Sequence, residues 1–409
     1  KAYPVKAIFE IGMTEFDGSI LIAYADAVVR MAKDGSSSST LPGALLGTDG
    51  VTFARNNRLT DGASTPDLVA VRAGGGAFVV GADVSPYPSE NLPENVVSVA
   101  FLGGYFLFAI ADGRIFASEL NSLTVNAASF ATAEAAPDGL VRGIVHGGRF
   151  YAMGSDTIEI WMNQGFQPFP LGRAPTVIPI GLKATMAVAG MEQEWGRDPI
   201  FVASDDTVRL LAGHDPQVIS TAPVERFVAA SDPATLEACV FTFRGNAHWA
   251  LTSNLGTWVH DVVSGHWHER RSDGIASWRA SRSIKSDNRW IVADRLGGGI
   301  GIVREDVRTE HGAPLTVLIE SAPLRNYPAR IAIPAMFLDF TESDGCSASV
   351  SWSHDGEKTW EGPVPRPLDG ADRDPVRINS IGQTTQHGLR ARIEIADAVS
   401  RRCTADSLQ

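Results

Sequence analysis

The stretch FLGGYFLFAIADGRIFASEL, residues 101–120, decides the fold. An aromatic, apolar run lies between two turn signals, Gly103–Gly104 and Asp112–Gly113, and a second apolar run follows. Apolar and aromatic runs bounded by Gly, Asn and Asp read as hairpin strands. The same unit recurs along the chain. It reads SILIAYADAVVRMAKDG at 19–35, GGGAFVVGAD at 74–83, HGGRFYAMGSDTIEIWMN at 146–163 and DPIFVASDDTVRLLAG at 198–213. It returns as GNAHWALTSNLGTWVHDV at 245–262 and DNRWIVADRLGGGIGIVRED at 287–306. From Tyr105 onward the aromatic anchors Phe150, Phe201, Trp249 and Trp290 fall 41–51 residues apart. That is the period of a four-stranded propeller blade, about 40–50 residues. A single blade cannot bury both of its faces; a ring of blades does so and leaves only short edges. The expected fold is therefore all-β, a β-propeller of six to seven blades.

Two segments are expected to depart from strand. SLTVNAASFATAEAAPDG, 122–139, is Ala-rich and reads as holding a helical turn before Pro137, and KDGSSSST, 33–40, reads as a flexible polar loop. From Pro314 the texture changes to LTVLIESAPL, ARIAIPAMFLDFTE, CSASVSWSHDG and RARIEIADAV, joined by Pro-, Asp- and Arg-rich loops. The boundary falls near 310–314, with the propeller over 1–312 and a smaller β-sandwich-like domain over 313–409. The tail ADSLQ is expected to fray.

Composition narrows the function classes. The 409 residues carry a net charge of −12, with 44% hydrophobic and 20% charged residues and 40 glycines. A length of roughly 100–200 residues per domain gives about two to four domains. The acidic balance argues against a protein that wraps nucleic acid, which needs a basic face to displace counterions, but not against one that DNA slides past. Apolar runs such as ARIAIPAMFLDF stop short of the ~20 residues of a membrane span. No signal peptide opens the chain, which begins at Lys1, so residues upstream are expected. Cys239, Cys346 and Cys403 are far apart and read as thiols of a reducing compartment.

The densest set of chemistry-bearing residues is TWVHDVVSGHWHERRSDG, 257–274, with His260, His266 and His268 beside Asp261 and Glu269. An even-numbered loop between the two strands sets Val262 opposite Trp267 and His260 opposite Glu269, with His266 and His268 on one face and His260 on the other. Only a three-residue loop would put His260 opposite His268. Zinc needs three or four convergent ligands, so no metal residues are assigned and the chain is expected to be metal-free. There is no phosphate-binding Walker loop, no H-E-x-x-H and no G-x-S-x-G. GGGIG, 297–301, lacks dinucleotide-binding spacing and reads as a turn, and Asp205–Asp206 and Glu305–Asp306 read as solvated turn acids. SHDGEKTW, 353–360, resembles the Asp-box turn of sialidase propellers, with Gly356 one place early and Glu357 at the glycine position. Asp-boxes are structural turns. Arg142, Arg149, Arg173 and Arg209 are scattered and make no triad. No catalytic or cofactor-binding residue is assigned, and the chain is expected not to be an enzyme.

Longer segments carry a resemblance. FASELNSLTVNAASFATAEAAPDGLV (116–141), GSDTIEIWMNQGFQPFPLGRAP (154–175) with its Glu-x-Trp strand, WGRD with VRLLAGHDPQVISTAPVE (195–225), and TWVHDVVSGHWHERRS (257–272) are the most specific. Through them, and from about residue 18 to about 395, the chain resembles the packaged-DNA stabilisation proteins of short-tailed phages, also called tail accessory or nozzle proteins. In that reading Asp261, Gly265, Trp267 and Arg270 are framework of a propeller blade. The family's N-terminal start is absent here. The resemblance implies a virion structural protein of the tail, assembled in the host cytoplasm, without cofactor and acting as a homohexamer. Such a ring continues the DNA channel below portal and adaptor, helps retain packaged DNA, takes part in DNA ejection, and carries fibres, spikes or a needle. Genomic DNA would pass without sequence-specific binding, along a net-negative bore. The alternatives are a carbohydrate-active propeller, sialidase-like or a depolymerase, and a sugar-binding propeller with exposed aromatics.

Overall fold

A computed structural model describes residues 11–57, 66–136, 138–296, 299–310, 312–342, 345–369, 375–397 and 402–403. The chain divides into two compact units, one of Lys1–Arg271 with Ile275–Val303 and one of Ser272–Gly274 with Arg304–Gln409. The sequence texture changes at 310–314; the units part at Val303.

Among the described residues, the first unit holds seven antiparallel sheets in strict chain order, six of four strands and the last of three. They span Gly12–Thr40, Val51–Pro86, Val96–Thr132, Leu140–Ile178, Val188–Val218, Glu237–Glu269 and Ala280–Ile302, blades 1 to 7. Within a blade each strand pairs with the next in sequence, and the first strands of blades 1 to 4, of blades 5 to 7, and of blades 7 and 1 pack beside one another. The count is thus seven, at the upper end of the expected range.

Why these residues make blades is clearest in the second strand of each. Its side chains alternate between the two neighbouring blades, and nearly all are buried. In Ser19–Tyr24, Leu21 and Ala23 join the core shared with blade 2, and Ile20 and Ile22 the core shared with blade 7. In Tyr105–Ile110, Phe106 and Phe108 face blade 2, and Leu107 and Ala109 face blade 4. In Arg149–Gly154, Phe150 and Ala152 face blade 3, and Tyr151 and Met153 face blade 5. Each fully buried large apolar side chain stabilises by about 1.5–3 kcal/mol relative to exposure. The anchors Tyr105, Phe150, Phe201, Trp249 and Trp290 all lie on second strands.

The turn into that strand has its own chemistry. In blades 1, 3, 4, 6 and 7 it is a two-residue turn with both residues at positive φ: Asp17–Gly18, Gly103–Gly104, Gly147–Gly148, Arg244–Gly245 and Asp287–Asn288. This is the backbone of the primed hairpin turn, whose twist matches that of the strands. Gly104, at φ 97°, also meets the Leu120 side chain where a Cβ would sit, 2.5 Å away.

Hydroxyls stitch neighbouring first strands together. Thr52 Oγ1 accepts the Val99 amide at 3.2 Å, and Ser98 Oγ accepts the Gly143 amide at 2.8 Å. Ser283 Oγ accepts from Val240 N at 3.2 Å and donates to Val240 O at 2.5 Å. These bonds satisfy backbone groups that the inner edge of each sheet would otherwise leave buried and unpaired.

Two local expectations are corrected. Within 122–139, residues Val125–Thr132 form the outer strand of blade 3 rather than a helical turn, and Phe130 stacks on Phe116 at 5.1 Å. Pairing with the blade overrides the helix preference of alanine; Pro137 lies outside the described residues. Within 33–40, Ser38–Thr40 are the exposed outer strand of blade 1, and only the turn before them is loop. The described α-helix, Ala222–Ala230, joins blades 5 and 6 and buries Val224 and Val228. Of the GGGIG stretch, 297–298 lie outside the described residues, and Ile300 and Gly301 are already strand. Among the described residues, no helix is long and apolar enough to cross a membrane.

In the second unit, a four-stranded sheet orders Val317–Glu320, Arg390–Ile395, Ser347–Ser353 and Glu361–Pro367. A strand pair, Ala332–Leu338 with Val376–Gln383, shares its core, in which Leu338, Phe340, Val350, Trp352, Ile378 and Ile393 are buried. That is the sandwich-like arrangement expected. At SHDGEKTW, Asp355 collects the turn: its Oδ1 accepts the Lys358 and Thr359 amides at 3.0 Å and its Oδ2 the Thr359 hydroxyl at 2.7 Å. Glu357, at the glycine position of that pattern, sits at φ 71°, a left-handed conformation that glycine adopts without steric cost. The Thr359 amide, above all, pulls the Asp355 carboxyl down to about 2. A carboxyl lowered from 3.8 stabilises the fold above pH 3.8, and the contribution is lost as pH falls through about 2. Asp355→Ala is expected to lower the melting temperature of this unit by several degrees at pH 7, and by clearly less at pH 2, in calorimetric scans at the two pH values.

Candidate functional site

Blade 6 contains the histidines. Its last two strands pair Trp258 with Glu269, Val259 with His268 and His260 with Trp267. A four-residue loop, Val262–Gly265, is closed by the Gly265 amide on Asp261 O and the Asp261 amide on His266 O. The pairing is slid two residues from the expected one, which keeps every side chain on its expected face because the strand period is two. His260 therefore packs on Trp267, ring centroids 4.7 Å apart, and His268 lies on the opposite face near His248 at 6.4 Å. Burial keeps His248 and His260 below the usual imidazole range and pushes His268 down to about 4. His260 is thus packing surface in the blade, His248 is half-buried, and His268 keeps an exposed face. Among the described residues, no three His, Cys, Asp or Glu side chains come together as a metal site.

The framework residues do structural work. Asp261 Oδ1 accepts the Val263 amide at 2.9 Å and the Ser264 amide at 3.2 Å. Burial pushes its carboxyl up, but these amides outweigh that and hold it below the usual range. Gly265 has φ 75°. Trp267 Nε1 donates to Ile219 O of blade 5 at 2.8 Å, and the Arg270 guanidinium lies 4.1 Å from the Trp278 ring centroid. In the Glu-x-Trp strand, Glu159 is buried, takes the Ala135 amide at 2.7 Å and pairs with Arg173 at 3.4 Å. Trp161 packs edge-on against Phe169 at 5.9 Å. Arg209 is held by Asp205 at 2.7 Å in its own turn, and Arg149 opens the second strand of blade 4.

Arg142 is different. It lines a cavity of about 510 Å³ at the hub, walled by Met13–Gly18, Val51–Arg55, Pro66, Met186, Val188, Met191–Gln193 and Arg282–Lys285. Arg142 Nη1 donates to Thr185 O at 2.9 Å, and Arg282 Nη1 donates to Met186 O at 3.4 Å and Ala238 O at 2.7 Å. Guanidiniums from blades 4 and 7 thus converge on two consecutive carbonyls of blade 5. Burial, then the neighbouring Arg282, lowers Arg142 to about 10. Glu192, on the same wall, is raised by burial while its Oε2 accepts the Gly190 amide at 2.6 Å. Arg149, Arg173 and Arg209 do not line this cavity, whereas the fold brings Arg142 to a partner, Arg282, that the sequence did not mark out. The available signal was a charged residue inside a first strand, SRSIKS, where a blade's hub lies.

Seven meander blades among the described residues, with histidines and acids spent on turns and packing, define the chain as a β-propeller whose His- and Trp-bearing motifs are framework. The family model described as Bacteriophage P22 Gp10, beta-propeller, matches residues 47–308, and the chain belongs to that family of phage structural proteins of the tail. No curated protein matches it. Among solved structures it is similar to the extracellular domain of BT4673 from B. thetaiotaomicron, described as a one-component system, with TM-score 0.48 and 8% identity over 84% of this chain and 43% of that one. The same domain, described as a hybrid two-component system, gives TM-score 0.47 and 9% identity over 87% of this chain and 44% of that one. The computationally designed Ika8 protein gives TM-score 0.40 and 13% identity over 74% of this chain and 97% of that one. The chain spans less than half the length of the BT4673 domain.

Proposed function

We propose that this chain is a nozzle subunit of a short-tailed phage: it assembles head to tail into a closed ring, six-fold as the resemblance implies, that continues the DNA channel below portal and adaptor and helps retain packaged DNA until ejection. The observation that carries the reading is the family match across residues 47–308. The physics is compatible. Blades buried on both faces make a stiff wall element, and loops between blades are free to form contacts. A head-to-tail ring needs two different complementary patches on each subunit, which a two-unit chain can supply. The net charge of −12 suits a bore past which phosphate slides without sticking. Adaptor and portal proteins on one side, and fibres, spikes or a needle on the other, are the partners this role requires, with no catalytic step. Native mass spectrometry with negative-stain imaging tests it. A closed six-membered ring is the expected result; a strict monomer at tens of micromolar, alone and with adaptor, would overturn it. Turnover of a fluorogenic sialoside would favour the carbohydrate-active alternative instead.

A further inference from the structure

The hub cavity has features that a wall element does not require. Arg142 and Arg282 are drawn to it from blades 4 and 7, and their partners are carbonyl oxygens and one sulfur, Met186 Sδ, 3.8 Å from Arg142 Nη1. Neither guanidinium has a carboxylate within 4.0 Å among the described residues. Arg142 Nε and Arg282 Nη2 are shut off from solvent and have no hydrogen-bond partner. Their nearest opposite charges, Glu192 and Asp49, act at longer range, and unsatisfied buried donors call for an explanation.

Charge and shape narrow the ligand. Glu15, Asp17 and Glu192 are the carboxyls on the wall, against the cations Arg55, Arg142, Arg282 and Lys285, and Asp49 acts on Arg142 from outside the lining. The four cations exceed the three carboxyls by one, so one further negative charge is accommodated there, whereas a dianion would be repelled by the wall carboxyls. The volume, about 510 Å³, lies in the range of small-molecule sites. Met13, Phe16, Phe53, Met186 and Met191 supply apolar wall for the body of a ligand. Arginine's planar fork is the usual partner of a carboxylate.

We propose that the hub cavity is a binding site for a small organic carboxylate of ring size, its carboxylate set against Arg142 and Arg282 and its body against the methionines and phenylalanines. The ligand would bridge blades 4, 5 and 7 and neutralise the two cations at the centre of the propeller. This does not depend on ring assembly and can fail or hold separately from it.

The experiment titrates the purified full chain with glucuronate, benzoate, glucose and inorganic phosphate, by calorimetry and by thermal shift. A ligand that binds only the native state raises the melting temperature by mass action. The expected result is saturable binding of glucuronate or benzoate below about 1 mM, weaker or no binding of phosphate, and none of glucose. Arg142→Gln and Arg142→Lys, checked for unchanged circular dichroism, are expected to weaken that binding at least about tenfold and about threefold. About 1.4 kcal/mol per tenfold relates the first to the loss of one charge-assisted contact. Absence of saturable carboxylate binding to the wild-type chain would overturn the proposal whatever the variants do. So would phosphate binding as tightly as the carboxylates, or carboxylate binding unchanged in Arg142→Gln.

Discussion

Replacing Glu237 alone by alanine is expected to destabilise the propeller by about 3–5 kcal/mol, more than almost any single surface change, because it strands a buried cation. Glu237 opens blade 6 and is 3% exposed; Arg295, 3% exposed, follows the second strand of blade 7. The two form an ion pair between blades, and Ser281 Oγ donates to both carboxylate oxygens at 3.0 Å. Arg295 Nη2 also donates to Ala280 O at 2.9 Å. Arg295→Met alone is expected to cost a similar amount, since it leaves a desolvated carboxylate. The double change Glu237→Leu with Arg295→Met should cost much less than the sum, because a buried pair exchanged for packed apolar side chains is often near neutral. Chemical denaturation of the four proteins yields the coupling directly. A double variant as unstable as the summed singles would show that the pair contributes packing rather than charge compensation.

That pair illustrates what the sequence made legible and what it hid. Blades could be read because a second strand buried on both faces has a near-continuous apolar run, as in SILIAY or YFLFAI, and because DG, GG and DN mark the turn before it. The Asp-box turn and the framework role of Asp261 and Trp267 were legible for the same reason: the bonds are local. Register was legible only modulo two, since sliding the His260 strand by two residues leaves every face unchanged. The Ala-rich outer strand Val125–Thr132 was misread because an edge strand borrows its conformation from its neighbour. Glu237 with Arg295 and Arg142 with Arg282 stood outside any local reading. Their members are 58 and 140 residues apart: the first pair meets when blade 7 docks on blade 6, and the second only when blades 4 and 7 come together at the hub.

Closure itself is the second place where one residue should matter greatly: Ile291→Ala is expected to destabilise the propeller by about 2–5 kcal/mol. Among the described residues, each blade is built from one continuous stretch, so no strand from the start of the chain is shared with blade 7. The seam between first and last blades is held instead by side chains. Ile20, Ile22 and Ile291 are fully buried there, with Ala293, and Met13 and Ile300 pack around them. Tyr24 Oη donates to Gly299 O at 3.1 Å. Lys33 Nζ reaches Glu15 at 2.6 Å and Asp287 of blade 7 at 3.1 Å. Those acids are partly exposed, and exposed ion pairs contribute only about 0–1 kcal/mol. Lys33→Ala should therefore change the denaturation midpoint little and less still at high salt, while Ile291→Ala moves it strongly at any ionic strength. Limited proteolysis reports the same hierarchy in space: with the apolar seam weakened, cleavage should begin in blade 1 or blade 7 before the middle blades open. Equal effects of the two substitutions, or first cuts in blades 3 and 4, would mean that the seam is not the weak point of the ring and that closure energy is spread over all seven interfaces.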